Sequence, residues 1–473
     1  MQAAADDAPM QDQPALVGRF DAVIVGAGVI GCAIARRLCL AGARVAVLER
    51  AVDILDGASK GNSAILHTGF DAPPGSVEQA CVAAGYAEYC EIHARLGLPL
   101  DPAGALVLAW TAAQEAALPA LIEQARANDV PGVEMLTAGQ IRSLEPNLAA
   151  SVRSGFRVAG EALIDPWSAP LAYLMQAVAN GAEIRRATHV AGGEFDGTDW
   201  HLRTSQGGVR AGLVINAAGL HGDSLDDALL GRRDFTIRPR KGQFIVYDKP
   251  AAALARHILL PVPDAKTKGI VVCRTVFGNL LVGPTAEDQD DRETAVLVPE
   301  TLAALRQRGV EILPALAGHE VTAVYAGLRP ASEFKDYQIR AHAGRNYITV
   351  GGIRSTGLSA ALGIARHVLE LANGFGVATG QLADPLWPKV ANLGEMSGRD
   401  WQRPDHGGIV CHCELVTRRE VEAALEGPLA AQSLAGLKRR TRVTLGRCQG
   451  FYCMAALARI TQGRLAQPMA DVG

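Results

Sequence analysis

Two kinds of hydrophobic pattern alternate along this chain. In the first, short unbroken apolar runs lead through glycines into helical spacing. Ala22–Val25 is such a run, helical period follows at Ala33, Ile34 and Leu38, the pattern stops near Gly42, and Val45–Leu48 is a second run. Runs this short and continuous suit strands covered on both faces, as in a parallel sheet. The signature returns at Leu213–Asn216 and in "NYITVGGIRSTGLSAALGIARHVLEL", where a strand reaches Gly351-Gly352 and a helix starts around Gly357. The second kind fills the stretches between. "LVLAW", "FTIRPRKGQFIVYDK", "GIVVCRTVFGNLLVGPT" and "EVTAVYAGLRPAS" alternate or run apolar, as strands of an antiparallel sheet do. "IDPWSAPLAYLMQAVANGAEI" has helical period and leads back to the first kind. No internal repeat interrupts the pattern, and no apolar run approaches the ~20 residues of a membrane helix.

The pattern therefore predicts an α/β chain: a parallel-sheet domain with an antiparallel sheet inserted into it. Composition changes this little. The 473 residues, 49% apolar with net charge −3, fit a soft prior of about three domains and offer no basic face for nucleic acid. Residues 1–18 are polar and acidic, without the basic and apolar regions of a signal peptide, and read as a disordered leader. The expected location is cytoplasmic, with no direct membrane insertion and any contact with the inner membrane made through partners.

Chemistry enters at the glycines. Gly26-x-Gly28-x-x-Gly31 lies between the first strand and the first helix, and Glu49 and Arg50 close the second strand. Gly26 permits the tight turn, Gly28 lets a pyrophosphate approach the backbone, and Gly31 lets helix and strand pack closely. The helix N-terminus offers N–H groups to phosphate, and Glu49 can accept from a ribose diol. The following loop carries Ser59, Asn62 and Ser63. Val190, Ala218 and Gly219, then Gly352, Gly357, Leu358 and Ser359, bring later segments back to the same dinucleotide. Such repeated returns fit an enclosed FAD, gripped at adenosine, pyrophosphate and ring. A helix starting near Gly357 can aim its dipole at the ring's N1–C2=O edge.

The segments "GNSAILHTG", "GEALIDPWS", "RKGQF", "AGLRPAS" and "GGIRSTGLS" resemble the D-amino-acid-oxidase-like superfamily of FAD-dependent oxidoreductases. The likeness runs from about residue 20 to 375. Within that superfamily the chain is most similar to glycerol-3-phosphate dehydrogenases of the anaerobic type and to L-2-hydroxyglutarate dehydrogenases. The resemblance implies His67 beside the flavin ring as the base for a substrate hydroxyl, and Arg329 and Arg354 as anion-binding groups. Pro330 follows Arg329 and predicts an element end there. Lys241 can either approach the flavin or hold the sheet.

Nine cysteines occur in the chain. Cys32, Cys39, Cys81, Cys90 and Cys273 are scattered as small packing residues, whereas Cys411, Cys413, Cys448 and Cys453 gather near the end. Cys411-x-Cys413 and Cys448-x4-Cys453, each leading toward a helical pattern, resemble the bacterioferritin-associated-ferredoxin-like domain, which implies a 2Fe–2S cluster on these four thiolates. Structural zinc is the rival, although zinc pairs usually run C-x2-C or wider. Thr417 and Glu420 stand at capping-box spacing. The "KRRTR" run and Arg447 either offset the cluster's charge or form a solvated face.

The expected fold is thus a Rossmann-type FAD-binding domain with an inserted antiparallel-sheet substrate domain, plus a small, mainly helical iron–sulfur domain. The flavin parts fall at about 19–80, 150–225 and 340–375, and the substrate parts at 81–149 and 226–339, the whole oxidoreductase unit ending near 390. A linker covers 391–408 and the iron–sulfur domain 409–465. The expected reaction is oxidation of a small anionic secondary alcohol, sn-glycerol 3-phosphate first, with electrons passed through the cluster to an electron-acceptor protein or quinone-linked partner subunit rather than to oxygen. The alternatives are L-2-hydroxyglutarate or another 2-hydroxy acid as substrate, an amine or imino acid as substrate, and a non-catalytic electron-transfer subunit.

Overall fold

A computed structural model describes residues 18–263, 269–377 and 380–469; the expected leader lies almost wholly outside them. The strand Arg19–Val25 runs parallel between Val45–Leu48 and Gly207–Asn216. Glu183–Arg185 extends the sheet beyond Val45–Leu48, and Tyr347–Gly351 joins parallel to Gly207–Asn216. Antiparallel hairpin strands complete this eight-stranded sheet. The apolar runs of the sequence are these strands, buried on both faces because helices cover one side and a cluster around Trp200 and Tyr347 the other.

The helix Gly357–Asn373 packs against Val29–Leu40 and Val77–Leu96. Gly363 and Gly85 make the crossing possible: a Cβ at either would overlap a backbone carbonyl, that of Cys81 or Ser359. Val77–Leu96 thereby joins the flavin-side core through Cys81, Val82, Tyr89, Ile92 and Leu96. The sequence boundary at 80/81 falls inside this helix, and most of the helix moves to the flavin side. Conversely, Ser154–Val158, expected on the flavin side, pairs with Ala105–Ala109 and Val133–Thr137 in the second sheet.

That second sheet has nine strands, mainly antiparallel, with Ile237–Tyr247 and Val321–Ser332 as its long pair. Arg329 lies within Val321–Ser332, opposite Arg240, rather than at an element end. Pro330 is accommodated because Val321–Ser332 is paired on one side alone and Pro330 faces Pro239, so no ladder N–H is missing a partner.

The last unit is a short hairpin, Ile409–Cys411 with Val416–Thr417, followed by helices Arg418–Ala423, Leu434–Thr441 and Met454–Thr461 around a small core that includes Val416, Val421, Leu437 and Leu457. The Thr417/Glu420 capping box is formed. The stretch expected as a linker is anchored: Arg399 donates to Leu393 O and Glu414 O, and Asp400 accepts from Thr417 and Arg419. The unit docks on the flavin side through Asp53. That buried carboxylate accepts from Gln432 N–H (2.9 Å) and the Ser433 hydroxyl (2.7 Å) and pairs with Arg440 (3.0 Å) and Arg186 (3.6 Å). Removing it would leave two buried guanidinium groups uncompensated, which costs about 3–5 kcal/mol.

Candidate active site and cysteine centre

A cavity of about 810 Å³ opens where the parallel strands end, the usual ligand position of such sheets. Gly26 adopts φ +108°, and a Cβ there would sit 2.5 Å from Ala217 O; the turn tolerates glycine alone. Gly28 borders the cavity, while Gly31 lies against the Gly26 carbonyl and serves helix–strand packing. Glu49 accepts from Ala27 N–H (2.7 Å) and Ala51 N–H (2.9 Å). A carboxylate has about four acceptor positions, so capacity for a diol remains. Burial raises its pKa, and these two N–H groups work against that rise.

Ser59 reaches the first helix differently from the expectation. Its hydroxyl accepts from Val29 N–H (2.9 Å), so it caps that helix while lining the cavity. Asn62 folds its own loop by accepting from Ala64 N–H (2.7 Å). Arg50, Ser63, Val190, Ala218, Gly219, Gly352, Gly357 and Leu358 also line the wall. The helix beginning at Gly357 has no side-chain cap, which leaves its first N–H groups available at the cavity. The glycine cradle, the acid after the second strand and the open helix start fit a dinucleotide with a flavin ring.

Arg329 and Arg354 both line this cavity, but in different states. Arg329 is held by backbone carbonyls: Nε donates to Arg240 O, and Nη2 to Lys241 O and Thr285 O. Among the described residues it forms no ion pair. Burial, then the Arg240 charge, brings its pKa down to about 10 against the pull of Asp288. A desolvated guanidinium without a carboxylate partner is poised for an anionic ligand. Arg354 instead pairs with Glu78 (3.3 Å) and donates to Lys335 O. Lys241 stands outside the cavity wall, bonded to Val296 O (3.0 Å) and Glu287 (3.2 Å), where it holds the sheet edge.

His67 is not on the cavity wall; its side chain is 18% exposed. Its N–H donates to Ser359 Oγ (2.8 Å), which places Ser359 as a support for the histidine loop. Its Nδ1 lies 2.8 Å from Glu161 Oε2. Glu161 is fully buried and also accepts from the Thr68 N–H (2.7 Å) and hydroxyl (2.8 Å). A neutral imidazole that donates from Nδ1 to Glu161 has Nε2 as its accepting nitrogen. Sequence reasoning missed Glu161. Its one signal was an acid set immediately before the apolar triplet of "GEALI".

The four late cysteines meet in two pairs. Cys448 lies against Cys413 and Cys411 against Cys453. Burial, and then these neighbours, raise the thiol pKa of Cys413 and of Cys453, and the Cys453 thiol donates to Gly450 O (3.7 Å). N–H groups of Tyr452, Gly450 and Phe451 aim at Cys448 and, with Cys413, lower its pKa. Leu415, Thr444, Gln449 and Gly450 take left-handed φ values in these loops. Such alternation turns successive N–H groups into an anion-binding nest. Among the described residues no three His, Cys, Asp or Glu close around a single ion. Two facing thiol pairs within a nest of N–H donors fit a binuclear, negatively charged centre.

Two family models match the chain. One described as FAD dependent oxidoreductase covers residues 21–371, and one described as BFD-like 2Fe-2S binding domain covers 409–462. Glycerol 3-phosphate dehydrogenase of Caloramator mitchellensis is 31% identical over 464 residues, 96% of each chain. One subunit of the anaerobic glycerol-3-phosphate dehydrogenase of Escherichia coli K12 is 26% identical over 504 aligned positions, 93% of this chain and 88% of that one. The solved structure of dithionite-reduced L-alpha-glycerophosphate oxidase from Mycoplasma pneumoniae, with FAD bound, gives a TM-score of 0.72 at 27% identity, covering 78% of this chain and 98% of that chain.

Proposed function

We propose that this chain, which belongs to the FAD dependent oxidoreductase family, is a dehydrogenase that oxidises sn-glycerol 3-phosphate at its secondary alcohol and yields dihydroxyacetone phosphate. The observation that carries this reading is Arg329: a half-buried guanidinium at the cavity, fixed by three carbonyls and ion-paired with no carboxylate among the described residues. A phosphate monoester supplies the missing anion, and the names of the similar proteins point to the same substrate.

In this reading Arg329 binds the phosphate and Arg354, steadied by Glu78, stands beside it as a second cation. His67 takes the hydroxyl proton at Nε2, with Glu161 fixing the opposite nitrogen as donor. FAD, when bound, supplies the hydride acceptor. The chain's share is to place the C–H bond, hold the anion and accept the proton. The four cysteines would hold a 2Fe–2S cluster, which when bound would give electrons a one-at-a-time exit toward a partner protein, in keeping with the Escherichia coli relative, which is itself one subunit of its dehydrogenase. No helix among the described residues is long and apolar enough to cross a membrane.

The test is an anaerobic absorption titration of purified protein, with flavin and iron quantified per chain. Bleaching by sn-glycerol 3-phosphate is the expected result. Bleaching by L-2-hydroxyglutarate alone, or by neither compound, would overturn the substrate assignment. Zinc in place of iron would overturn the electron exit.

A further inference from the structure

The cysteine unit contacts segments that lead to the cavity, and one of these contacts is aromatic. Arg442 ends the helix Leu434–Thr441 with φ +70°, a left-handed conformation that a non-glycine residue adopts at a cost. The result is a guanidinium 3.9 Å above the ring of Phe277. Phe277 stacks in turn on Trp167, centroids 6.0 Å apart and planes 14° from parallel. Trp167 Nε1 donates to Lys60 O (3.2 Å), and both Lys60 and Pro166 border the cavity. On the far side, Arg442 Nε donates to Glu414 (2.8 Å), the residue after Cys413. The line runs without interruption from the cavity wall to the cysteine loop.

Its cavity end lies toward the substrate side. Gly61, next to Lys60, packs directly on Gly327, and the Tyr325 hydroxyl donates to Asn62 O. Both partners belong to the strand that carries Arg329. Other contacts, through Arg439 to Asp56 and Ile54 O, through Asp53 to Ser433 and Arg440, and from Gln449 to Thr322 O, offer only ion pairs and polar bonds. Among these contacts, the Trp167 line is the one that presents stacked π systems near the substrate end.

We propose that the Trp167–Phe277 stack, capped by Arg442, is the bridge by which electrons pass from the flavin site to the cysteine centre. This rests on the function proposed above. Oxidising one secondary alcohol to a ketone releases two electrons and two protons. Both electrons cross the bridge, one at a time, and each is carried onward by a one-electron-accepting partner protein. One proton goes to His67, and the other is released to solvent as the electrons depart. Arg442 keeps a positive charge beside the path while its bond to Glu414 fixes it in place.

The experiment uses the full chain carrying flavin and iron, as wild type, Trp167→Leu, Phe277→Leu and Trp167→Phe. The bound flavin is photoreduced by a flash with EDTA as the sacrificial electron donor, without substrate, and reduction of the cluster is followed by absorption and freeze-quench electron paramagnetic resonance. Potentiometric titration establishes that both midpoint potentials are unchanged. The expected result is cluster reduction slowed by more than an order of magnitude in both leucine variants and near wild type in Trp167→Phe. Phe277→Leu leaves the Trp167–Lys60 bond intact, so it serves if Trp167→Leu binds flavin poorly. Wild-type rates in the leucine variants would overturn the bridge alone. Failure of the wild-type cluster to reduce after the flash would overturn both the bridge and the electron exit beneath it.

Discussion

Replacing Glu161 by glutamine exchanges one oxygen for an NH2 group and keeps the shape. Glu161 Oε1 accepts from both the N–H and the hydroxyl of Thr68, and the N–H can only donate. The glutamine must therefore keep its oxygen toward Thr68 and turn its NH2 toward His67 Nδ1. That nitrogen then has to accept, which moves the ring proton to Nε2 and removes the base. A second loss is electrostatic. Oε2 and Nδ1 are 2.8 Å apart, which puts the charge centres at about 4 Å. At an effective dielectric of about 20, the carboxylate then stabilises a forming imidazolium by about 4 kcal/mol. That alone is about a thousandfold in rate, and a histidine held in the wrong tautomer of a catalytic triad loses about 10⁴. Glu161→Gln is thus expected to lower the anaerobic rate of flavin bleaching by sn-glycerol 3-phosphate by about 10³–10⁴. Flavin content should stay at the wild-type level, because Glu161 does not line the cavity. Stopped-flow absorption reads both. A Glu161→Gln rate within about tenfold of wild type would refute the reasoning, since neither the tautomer nor the ion pair would then matter.

Arg329→Met removes a guanidinium expected to make two charge-assisted bonds to the substrate, worth about 1.5–3 kcal/mol each; kcat/KM for sn-glycerol 3-phosphate should fall at least about a hundredfold, while near-wild-type kinetics would exclude Arg329 from anion binding. Gly363→Val forces a side chain into the Cys81 carbonyl at the helix crossing, so stability should drop by about 1–3 kcal/mol, with faster flavin release in a thermal melt followed by flavin fluorescence. Asp223 tests pH. Burial pushes its carboxyl up, but its bonds with Arg292 and the N–H groups of Ile237 and Ser224 outweigh that and hold it below the usual range. A depressed carboxyl contributes stability that is complete above the unfolded value of about 3.9 and fades as pH falls through the folded value. Asp223→Asn should therefore lower the urea midpoint at pH 7, with the gap to wild type closing as the solution is acidified; a constant gap would contradict the linkage.

The sequence made visible those parts of the molecule that are local. The first strand–helix–strand unit, the helix at Gly357, the capping box at Thr417 and the four clustered cysteines each occupy one short window, and each appears where expected. Two features depended on neighbours distant in the chain. Arg329 read as an element end because Pro330 follows it, yet a proline opposite Pro239 on a strand paired from one side removes no hydrogen bond. The boundary at 80/81 put most of Val77–Leu96 in the substrate domain; Gly85 and Gly363 are what draw it against the flavin-side helices. Glu161 was legible only as an acid in apolar company. Its meaning comes from a histidine brought to it by the pairing of Ile65–Leu66 with Ala162–Ile164.

The charge run near the end shows how far composition can mislead. "KRRTR" suits a solvated face, but Arg439, Arg440 and Arg442 are all buried. Each meets a different acid: Arg439 meets Asp56, Arg440 meets Asp53 and Arg442 meets Glu414. Two of those acids belong to the loop after Glu49, and the third adjoins Cys413. Burial brings the pKa of Arg440 down to about 10, with Asp53 opposing the fall. Guanidinium groups so desolvated are strongly penalised if their partners leave, so separating the cysteine unit from the flavin side exposes several uncompensated charges at once. The spacing between the two redox sites is then set by folding rather than by a diffusive encounter of tethered domains. A fixed spacing is what a relay of single electrons requires, because each electron must clear the cysteine centre before the next can follow.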